Sequence, residues 1–409
     1  MKKIKFFKCV LCGREFKEDE ITYTCPYCGQ DGILEVYLDY KNIKFSKDVL
    51  LEREHTILRY FELLPVDNLN GFPPLNVGYT PIYKPERLSK YLNLKNLYIK
   101  DDGRNPTASF KDRASALVIK KAVDKGFDTI TTASTGNAAS SLSGLAASMG
   151  LITYIFVPEN ALKAKIAQLL NFGSNVFAIK GTYDEAFDLC IKSSEKYGWY
   201  NRNTAYNPYT IEGKKTVSFE IWEQLNFSVP DKIFVSVGDG VIYSGVYKGF
   251  YDLYSMKLID KIPQVIGVQA EGSSPIVKAF LEKKERVTPI ENPQTIADSI
   301  SVGYPRNGTM ALQFAKKYNG DFISVSDREI VESIPILGKL TGVFGEPAGV
   351  ASLSGLIKMV HKGKIKEDEK IVVLITGNGL KDIESAIKAV GEPYYIDNDI
   401  NDVKKYVIK

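Results

Sequence analysis

The chain has few histidines, no long apolar runs and no large excess of positive or negative charge. Only His55 and His361 occur among 409 residues, so a histidine-based catalytic centre is not expected, and acid–base chemistry must come from lysine, carboxylates, hydroxyls or a cofactor. No segment approaches the roughly 20 apolar residues of a membrane span, and no signal-like apolar run follows the basic N-terminus. The net charge of +4 is small for this length. These absences predict a cytoplasmic protein with no nucleic-acid partner and no membrane partner.

Cysteine is also scarce, and four of the five cysteines form two C-x-x-C pairs near the N-terminus. The pairs are Cys9 with Cys12 and Cys25 with Cys28, 12 residues separate them, and a glycine follows each. Four thiolates complete the closed tetrahedral shell that suits structural zinc. Disulfides or free buried thiols are the alternatives, and the spacing and a reducing compartment argue against both. We therefore expect a zinc-ribbon-like segment over residues 1–40, whereas Cys190, alone in a helical pattern, is expected to be a core residue.

Short β-branched runs alternate with helical patterns through the rest of the chain. After a linker-like stretch over residues 41–95, extended runs are predicted at 96–100, 129–132, 152–157, 176–179, 232–237, 264–269 and 370–375. Helical patterns separate most of these runs. Alternation of this kind is typical of α/β proteins whose mostly parallel sheets are covered by helices on both faces. The fold class is therefore predicted to be α/β.

One stretch, residues 105–113, places a lysine between an extended run and a helical run. Lys111 follows Phe110, and Ser109 is a candidate cap for the helix that starts near Lys111. Burial and the positive end of a helix both disfavour an ammonium ion, so the Lys111 amine would be unusually nucleophilic. Such an amine suits Schiff-base formation. The alternative is a solvated surface charge, which describes most of the 53 lysines and arginines.

Three loops that follow predicted strands contain hydroxyl groups, amides and glycines. Residues 134–141 begin Ser-Thr-Gly-Asn and are suited to binding an anion, although a plain helix cap is the alternative. Residues 238–245 begin Gly-Asp-Gly, which permits close approach of the backbone to a phosphate, but they lack the lysine of a nucleotide-binding P-loop. The Asp239 carboxylate should face away from such a phosphate. Residues 376–382 form a third loop, and a turn at residues 345–349 precedes a small-residue helix.

In this order, the lysine and the loops resemble the pyridoxal-phosphate enzymes of fold type II, the tryptophan-synthase-β-like family, and within it the threonine synthase family. Asn-Pro-Thr-Ala-Ser-Phe-Lys-Asp-Arg at 105–113 is similar to that family's N-P-T-G-S-F-K-D-R. Ser-Thr-Gly-Asn at 134–137 and Thr-Gly-Asn-Gly-Leu-Lys-Asp at 376–382 are similar to its other signatures. The likeness covers roughly residues 78 to 385, and N-terminal cysteine pairs also occur in many members.

The resemblance implies a cofactor, pyridoxal 5'-phosphate, and a role for each matching residue. Lys111 would form the Schiff base and then transfer protons, Phe110 would pack beside the ring unless it is an ordinary core residue, and Thr376 would face the pyridine nitrogen. The amides of Gly238, Asp239, Gly240, Val241 and Ile242 would bind the cofactor phosphate. Asn137 would bind the 3'-oxygen of the ring, and the substrate would be held by Ser134, Thr135, Gly136, Asn137 and Asn207.

Two positions depart from the family pattern near Asn207. Family members often have a serine where this chain has Ala205, and an arginine where it has Thr210. Those family residues help to hold the substrate phosphate, and losing one charge-assisted contact typically costs about 1.5–3 kcal/mol. The cofactor assignment survives these changes, whereas the assignment of O-phosphohomoserine as substrate is weakened. Lys163, Lys165, Arg202, Lys214 and Arg306 are the candidate compensating cations.

The resemblance also implies an architecture and leaves three functions open. A large cofactor-binding α/β domain is expected over 41–125 and 217–409, a smaller α/β domain over 126–216, and a homodimer. The leading function is conversion of O-phospho-L-homoserine and water to L-threonine and phosphate. The alternative on the same scaffold is a serine/threonine ammonia-lyase or a cysteate-synthase-like β-replacement enzyme. The third is a non-catalytic zinc-ribbon interaction protein.

Overall fold

The computed structural model describes residues 3–134, 136–159, 161 and 163–407. Its strands are β1 Ile4–Cys9, β2 Glu15–Phe16, β3 Leu34–Leu38, β4 Ile82–Tyr83, β5 Asn96–Asp101, β6 Thr129–Ala133, β7 Ile152–Pro158, β8 Asn175–Ile179, β9 Tyr200–Asn201, β10 Lys232–Ser236, β11 Gln264–Ala270, β12 Asp321–Val325 and β13 Lys370–Ile375. Its helices are α1 Glu86–Leu92, α2 Lys111–Asp124, α3 Asn137–Ala147, α4 Lys163–Asn171, α5 Tyr183–Tyr197, α6 Tyr209–Lys214, α7 Thr216–Gln224, α8 Val241–Ser255, α9 Pro275–Leu281, α10 Gly308–Lys317, α11 Asp327–Thr341, α12 Pro347–His361, α13 Ile383–Val390 and α14 Ile400–Lys404.

A six-stranded sheet forms the largest layer of the fold. Its strand order is β12-β11-β10-β13-β5-β4, and only β4 runs antiparallel to its neighbour. In β10, Ile233 and Val235 belong to one hydrophobic cluster and Phe234 to another, so successive side chains enter cores on opposite faces. The predicted α/β class, with mostly parallel sheets covered on both faces, is confirmed.

A second, four-stranded sheet is parallel throughout, in the order β8-β7-β6-β9. Its strands come from the chain between residues 129 and 201, whereas β5, which precedes them in sequence, lies in the large sheet. The domain boundaries at residues 125 and 216 remain predictions. None of the helices in the described part of the chain is both long and apolar enough to cross a membrane.

The N-terminal segment forms a small antiparallel sheet in the order β2-β1-β3. Phe7 of β1 packs edge-on against Tyr209 of α6, with ring centroids 5.9 Å apart. Buried residues of this sheet share one hydrophobic cluster with Ala116 and Leu117 of α2. The segment is therefore docked on the helix that begins at Lys111.

Several local expectations hold and others do not. The seven predicted strands correspond to β5, β6, β7, β8, β10, β11 and β13. The short strand β9 and the edge strand β12 lie outside the predicted runs, and a two-residue strand such as β9 carries no periodic pattern. The cap assigned to Ser109 is wrong: the residue before α2 is Phe110, no side chain caps the helix, and the buried Ser109 hydroxyl has no hydrogen-bond partner among the described residues. Cys190 is fully buried, as expected.

Candidate active site

The loops singled out in the sequence follow the carboxyl ends of parallel strands. β5 leads to the Lys111 stretch, β6 to Ser134, β10 to Gly238 and β13 to Thr376. Carboxyl ends of parallel strands are the usual place for ligands in open α/β sheets. One cavity is lined by Lys111 together with residues of the Ser134 and Gly136 loop, and an adjoining one by Lys111, Gly238–Ile242 and Thr376. The structure thus brings these four segments together.

Backbone contacts between loops fix the position of Lys111. The N–H of Phe110 donates to the Thr376 carbonyl at 2.9 Å, and the N–H of Asn378 donates to the Ala108 carbonyl at 3.1 Å. Ala108 has φ of 63°, in the left-handed region where an alanine is strained and glycine is not. This geometry explains why the family motif N-P-T-G-S-F-K-D-R has glycine at the position of Ala108.

The remaining residues of the 105–113 stretch brace the start of α2. The Asp112 carboxylate accepts hydrogen bonds from the Thr107 backbone, at 2.7 Å, and from the Thr107 hydroxyl. Arg113 donates to Asp102 at 2.6 Å and pairs with Glu220, and all three side chains are buried. A buried cation with two carboxylate partners is costly to break. The polar residues of this motif therefore hold the lysine in place rather than act on a ligand.

The Lys111 amine lies in a low-dielectric site crowded with charges. Burial lowers its pKa to about 8, opposed by the negative charge of Glu346 and aided by the positive charge of Arg202. No described residue lies within hydrogen-bonding or ion-pairing distance of the amine. The amine is therefore neutral far more often than a surface lysine near neutral pH, which a nucleophile and proton carrier requires.

The Ser134 loop leads into α3, and the Asn137 amide at the start of that helix uses only one of its two ends in hydrogen bonds. The Gly136 N–H donates to the Ser134 hydroxyl at 3.1 Å. The Asn137 amide nitrogen donates to the Glu346 carboxylate, while its buried carbonyl oxygen has no partner among the described residues. Thr135, predicted to bind the substrate, lies outside the described residues.

Glu346 is a site residue that the sequence interpretation missed. It is 2 % exposed, lies directly before α12, and its N–H donates to the Gly377 carbonyl at 3.1 Å. Its negative charge opposes the burial that lowers the pKa of both Lys111 and Lys381. The sequence shows the turn before a small-residue helix, but only the pairing of that turn with the 376–382 loop brings the Glu346 carboxylate to the cavity of Lys111.

The glycine loop forms the opposite wall of the site at the start of α8. Gly240 has φ of 90°, and a Cβ there would lie 3.2 Å from the Asn307 carbonyl oxygen. The first amides of a helix have no carbonyl partner within the helix and favour an anion. One Asp239 carboxylate oxygen accepts a hydrogen bond from the Arg306 backbone at 3.3 Å, so Asp239 has a partner away from the loop amides.

Two predicted ligands do not line these cavities. The Asn207 amide donates to the Asn201 carbonyl at 2.9 Å and accepts from the Tyr209 N–H at 3.1 Å, so both of its ends hold the local backbone. The Asn207 amide thus holds the local backbone in this structure, and its contact with the substrate stays a prediction. Phe110 is fully buried in the core beneath the site, and its place beside a cofactor ring stays a prediction.

The four N-terminal cysteines converge as their spacing indicates. Their sulfur atoms lie within 4.8 Å of one another. The glycine after each pair has a positive φ, 71° at Gly13 and 65° at Gly29, and each donates its N–H back to the first cysteine of its pair at 2.9 Å. A hydrogen bond from the Arg14 backbone, the largest effect, lowers the pKa of the Cys12 thiol to about 7. The cluster is compatible with a metal site.

The residues around Lys111 fit pyridoxal phosphate. They offer an amine of lowered pKa and, at the start of α8, a helix N-terminus for the phosphate. The sequence model of the family described as pyridoxal-phosphate dependent enzyme matches residues 74–377. The chain belongs to this family.

Individual members of the pyridoxal-phosphate-dependent family resemble the chain over most of its length. The threonine synthase of Methanocaldococcus jannaschii is 39% identical over 401 residues, which cover 97% of this chain and 98% of that protein. That of Methanosarcina acetivorans is 39% identical over 405 residues, 98% of each. Among solved structures, threonine deaminase isoform 2 from Solanum lycopersicum matches with a TM-score of 0.66 at 23% identity, covering 76% of this chain and 83% of that one. This last likeness shows the fold alone.

Proposed function

We propose that the protein is a pyridoxal-phosphate-dependent threonine synthase, converting O-phospho-L-homoserine and water to L-threonine and phosphate. The observation that carries this function is the 39% identity to two threonine synthases over nearly the full length of the chain. It is joined by a lysine of lowered pKa where the predicted loops meet. On these grounds the protein is a pyridoxal-phosphate-dependent lyase that acts on a small amino-acid substrate. The non-catalytic alternative has no support from the site.

Each residue of the site has a task in this reaction. Bound pyridoxal phosphate would withdraw electrons from the substrate carbons, which makes their protons removable. Lys111 holds the cofactor and, as a neutral amine, moves protons at the substrate Cα and Cβ. The amides of Gly238–Ile242 would bind the cofactor phosphate, and the Thr376 hydroxyl would be the partner of the ring nitrogen. The loop of Ser134 and Gly136 binds the substrate carboxylate at the N-terminus of α3.

The reaction is tested by supplying O-phospho-L-homoserine to the cofactor-loaded protein and measuring phosphate and threonine together. Equal amounts of the two products are expected, because the phosphate leaves from Cγ and water adds at Cβ of the same molecule. L-serine and L-threonine serve as comparison substrates. Ammonia release from these two without any turnover of the phosphorylated substrate would instead assign an ammonia-lyase.

For the cysteine cluster, the proposal is one structural zinc ion held by Cys9, Cys12, Cys25 and Cys28. Elemental analysis of the purified protein is expected to find about one zinc per chain, since four thiolates leave no open coordination position. Cys12→Ser is expected to remove most of that zinc. Cys12 is exposed, so this change leaves the core intact, and Cys190→Ser, outside the cluster, is the matched control that keeps it. Metal-free wild-type protein would refute the site.

A homodimer and a cytoplasmic location are also part of the proposal, from the resemblance and from the composition respectively. The dimer predicts a particle of twice the 45.6 kDa chain mass in light scattering. A monomer at working concentration would contradict it.

A further inference from the structure

Arg306 is a largely buried cation in the loop directly before α10. It lines neither the cavity shared by Lys111 and the Ser134 loop, here called the substrate cavity, nor the adjoining one. Its side chain is 8% exposed, and one terminal nitrogen donates to the Asp184 carboxylate of α5 at 3.0 Å. The other terminal nitrogen contacts the Gln30 side chain of the N-terminal segment at 3.5 Å. Arg306 therefore joins three parts of the chain that are far apart in sequence.

Two aromatic rings complete the surroundings of the guanidinium group. Its central carbon lies 4.6 Å from the ring centroid of Phe187 on α5 and 4.4 Å from that of Tyr304. Contacts between a cation and a ring are attractive, and they strengthen where water is excluded. Asp184 and Phe187 are three positions apart and so lie on the same face of α5. Arg306 thus holds the beginning of this helix at two points.

The beginning of α5 is also a wall of the substrate cavity. Gly181, Thr182 and Tyr183 all line that cavity. The Thr182 hydroxyl caps the helix by accepting a hydrogen bond from the Glu185 N–H at 3.2 Å. The lining residues are therefore continuous with the helical turn that Arg306 contacts, and the position of that turn sets the position of the wall.

The backbone of the Arg306 loop contacts the opposite wall of the site. The Arg306 N–H donates to the Asp239 carboxylate at 3.3 Å, and the Asn307 N–H donates to the Asp239 carbonyl at 3.1 Å. The Asn307 side chain donates to the Ser244 hydroxyl of α8 at 2.6 Å. One loop therefore holds the glycine loop through its backbone and α5 through the Arg306 side chain. A substitution of that side chain leaves the backbone contacts in place.

The second cysteine pair reaches the same loop through Tyr304. The Tyr304 hydroxyl donates to the Asp31 carboxylate, which lies in the turn that follows Cys28. The Cys25 N–H donates to the Gly32 carbonyl at 2.8 Å and closes that turn. The ring that contacts the guanidinium group is therefore tied to the N-terminal segment.

We propose that Arg306 is a positioning residue that holds the beginning of α5 as a wall of the substrate cavity, and that the N-terminal segment steadies it through Tyr304. The inference rests on the proposed function only through the active site at Lys111, and not on which amino acid is converted there. Without the Arg306 side chain, a ligand would have to order this wall as it binds, which lowers the apparent affinity of every ligand of the cavity. Direct binding of a substrate phosphate by Arg306 would affect phosphorylated ligands alone.

The test compares the wild-type holoenzyme with Arg306→Leu, Arg306→Lys and Asp184→Asn. KM and kcat are measured for O-phospho-L-homoserine. The Kd values of 2-amino-5-phosphonopentanoate and of norvaline, its counterpart without a phosphonate, are read from the visible absorbance of the bound cofactor. The Kd of pyridoxal phosphate is measured on the apoenzyme. Arg328→Leu is the matched control, because it breaks an exposed ion pair with Glu332 on α11.

For Arg306→Leu, KM and the Kd values of both amino-acid ligands are expected to rise about 3–30-fold, the size of a lost ion pair together with its cation–ring contacts. The kcat and the cofactor Kd are expected to change less than about twofold, because the backbone contacts to the glycine loop remain. A partly unfolded sample would lower kcat and leave KM unchanged. Arg306→Lys keeps the charge and is expected to recover part of the affinity.

Two further variants test the contacts themselves. Asp184→Asn is expected to raise the same constants, and adding it to Arg306→Leu is expected to cause no further loss, because both changes break one contact. Tyr304→Phe keeps the ring and removes the hydrogen bond to Asp31. It is expected to raise the same constants about 2–5-fold, within the worth of one hydrogen bond. Unchanged constants in Tyr304→Phe would refute the part played by the N-terminal segment.

A rise confined to O-phospho-L-homoserine and the phosphonate would overturn the positioning role and make Arg306 a phosphate ligand. A fall in kcat at unchanged KM would overturn it as well. If Arg306→Leu is not recovered folded, Asp184→Asn supplies the same measurements, since the Asp184 side chain is 45% exposed.

Failure of the proposed function gives a different result from failure of this inference. Wild-type protein that releases ammonia from L-serine without converting the phosphorylated substrate rejects the reaction, and the same separation of KM from kcat is then measured with L-serine. Wild-type protein that forms threonine with a KM insensitive to Arg306 keeps the reaction and rejects the positioning role.

Discussion

Replacing Lys111 with alanine is expected to lower threonine formation by at least about 10³-fold, the upper range for loss of a positioned acid–base group. The Lys111 amine has a pKa of about 8 and is the proposed attachment point of the cofactor, so its removal takes away both the attachment and the proton carrier. The visible absorbance of a Schiff base with added pyridoxal phosphate is expected to disappear as well. Both quantities are measured on the same purified sample.

Two further variants separate the chemistry of Lys111 from its charge. Lys111→Arg keeps a cation of similar length but offers no primary amine, so it is expected to be as inactive as the alanine variant. Lys381→Met removes a buried lysine of the 376–382 loop and is expected to keep the Schiff-base absorbance. A Schiff base that persists in Lys111→Ala would show that another lysine carries the cofactor.

Replacing Glu346 with glutamine is expected to shift the pH dependence of cofactor capture to lower pH. In the wild-type apoenzyme the rate of Schiff-base formation should rise with pH through about 8, because only the neutral amine attacks. The Glu346 charge is the largest influence that raises the pKa of Lys111, so its removal lowers that pKa further. At a pH below 8 the variant should therefore capture the cofactor faster than the wild type.

The same variant is expected to lose about 10–100-fold in threonine formation, a typical result of misplacing a catalytic group. The reason is that Glu346 accepts the amide hydrogen of Asn137, and glutamine keeps the shape but weakens this contact. Glu369→Gln is the matched control, since Glu369 pairs with Lys232 at the amino ends of the strands, away from the site. A pH midpoint of the Glu346 variant at or above that of the wild type would contradict the electrostatic argument.

The sequence by itself determined the α/β class, most strands and the segments that build the site. These features depend on local properties: apolar periodicity marks strands, and glycines and hydroxyl groups mark the loops that follow them. The cysteine spacing likewise predicts the cluster, since two tight turns need only local backbone freedom. Lys111 was identifiable because its motif combines a loop, an aromatic residue and a helix start in nine residues.

Only the tertiary structure decided which polar groups face the lysine. Glu346 lies 235 positions after Lys111, and it reaches the site because its turn pairs with the loop after β13. Asn207 matches its motif, yet both ends of its amide are used by neighbouring backbone. Among the candidate cations, Lys165 and Arg306 pair with carboxylates, whereas Arg202 and Lys214 are buried without a carboxylate partner among the described residues. Long-range packing sets how deeply a charged side chain is buried and whether it has an ion-pair partner. These two properties decide whether the charge stabilises the fold or is free to bind a ligand.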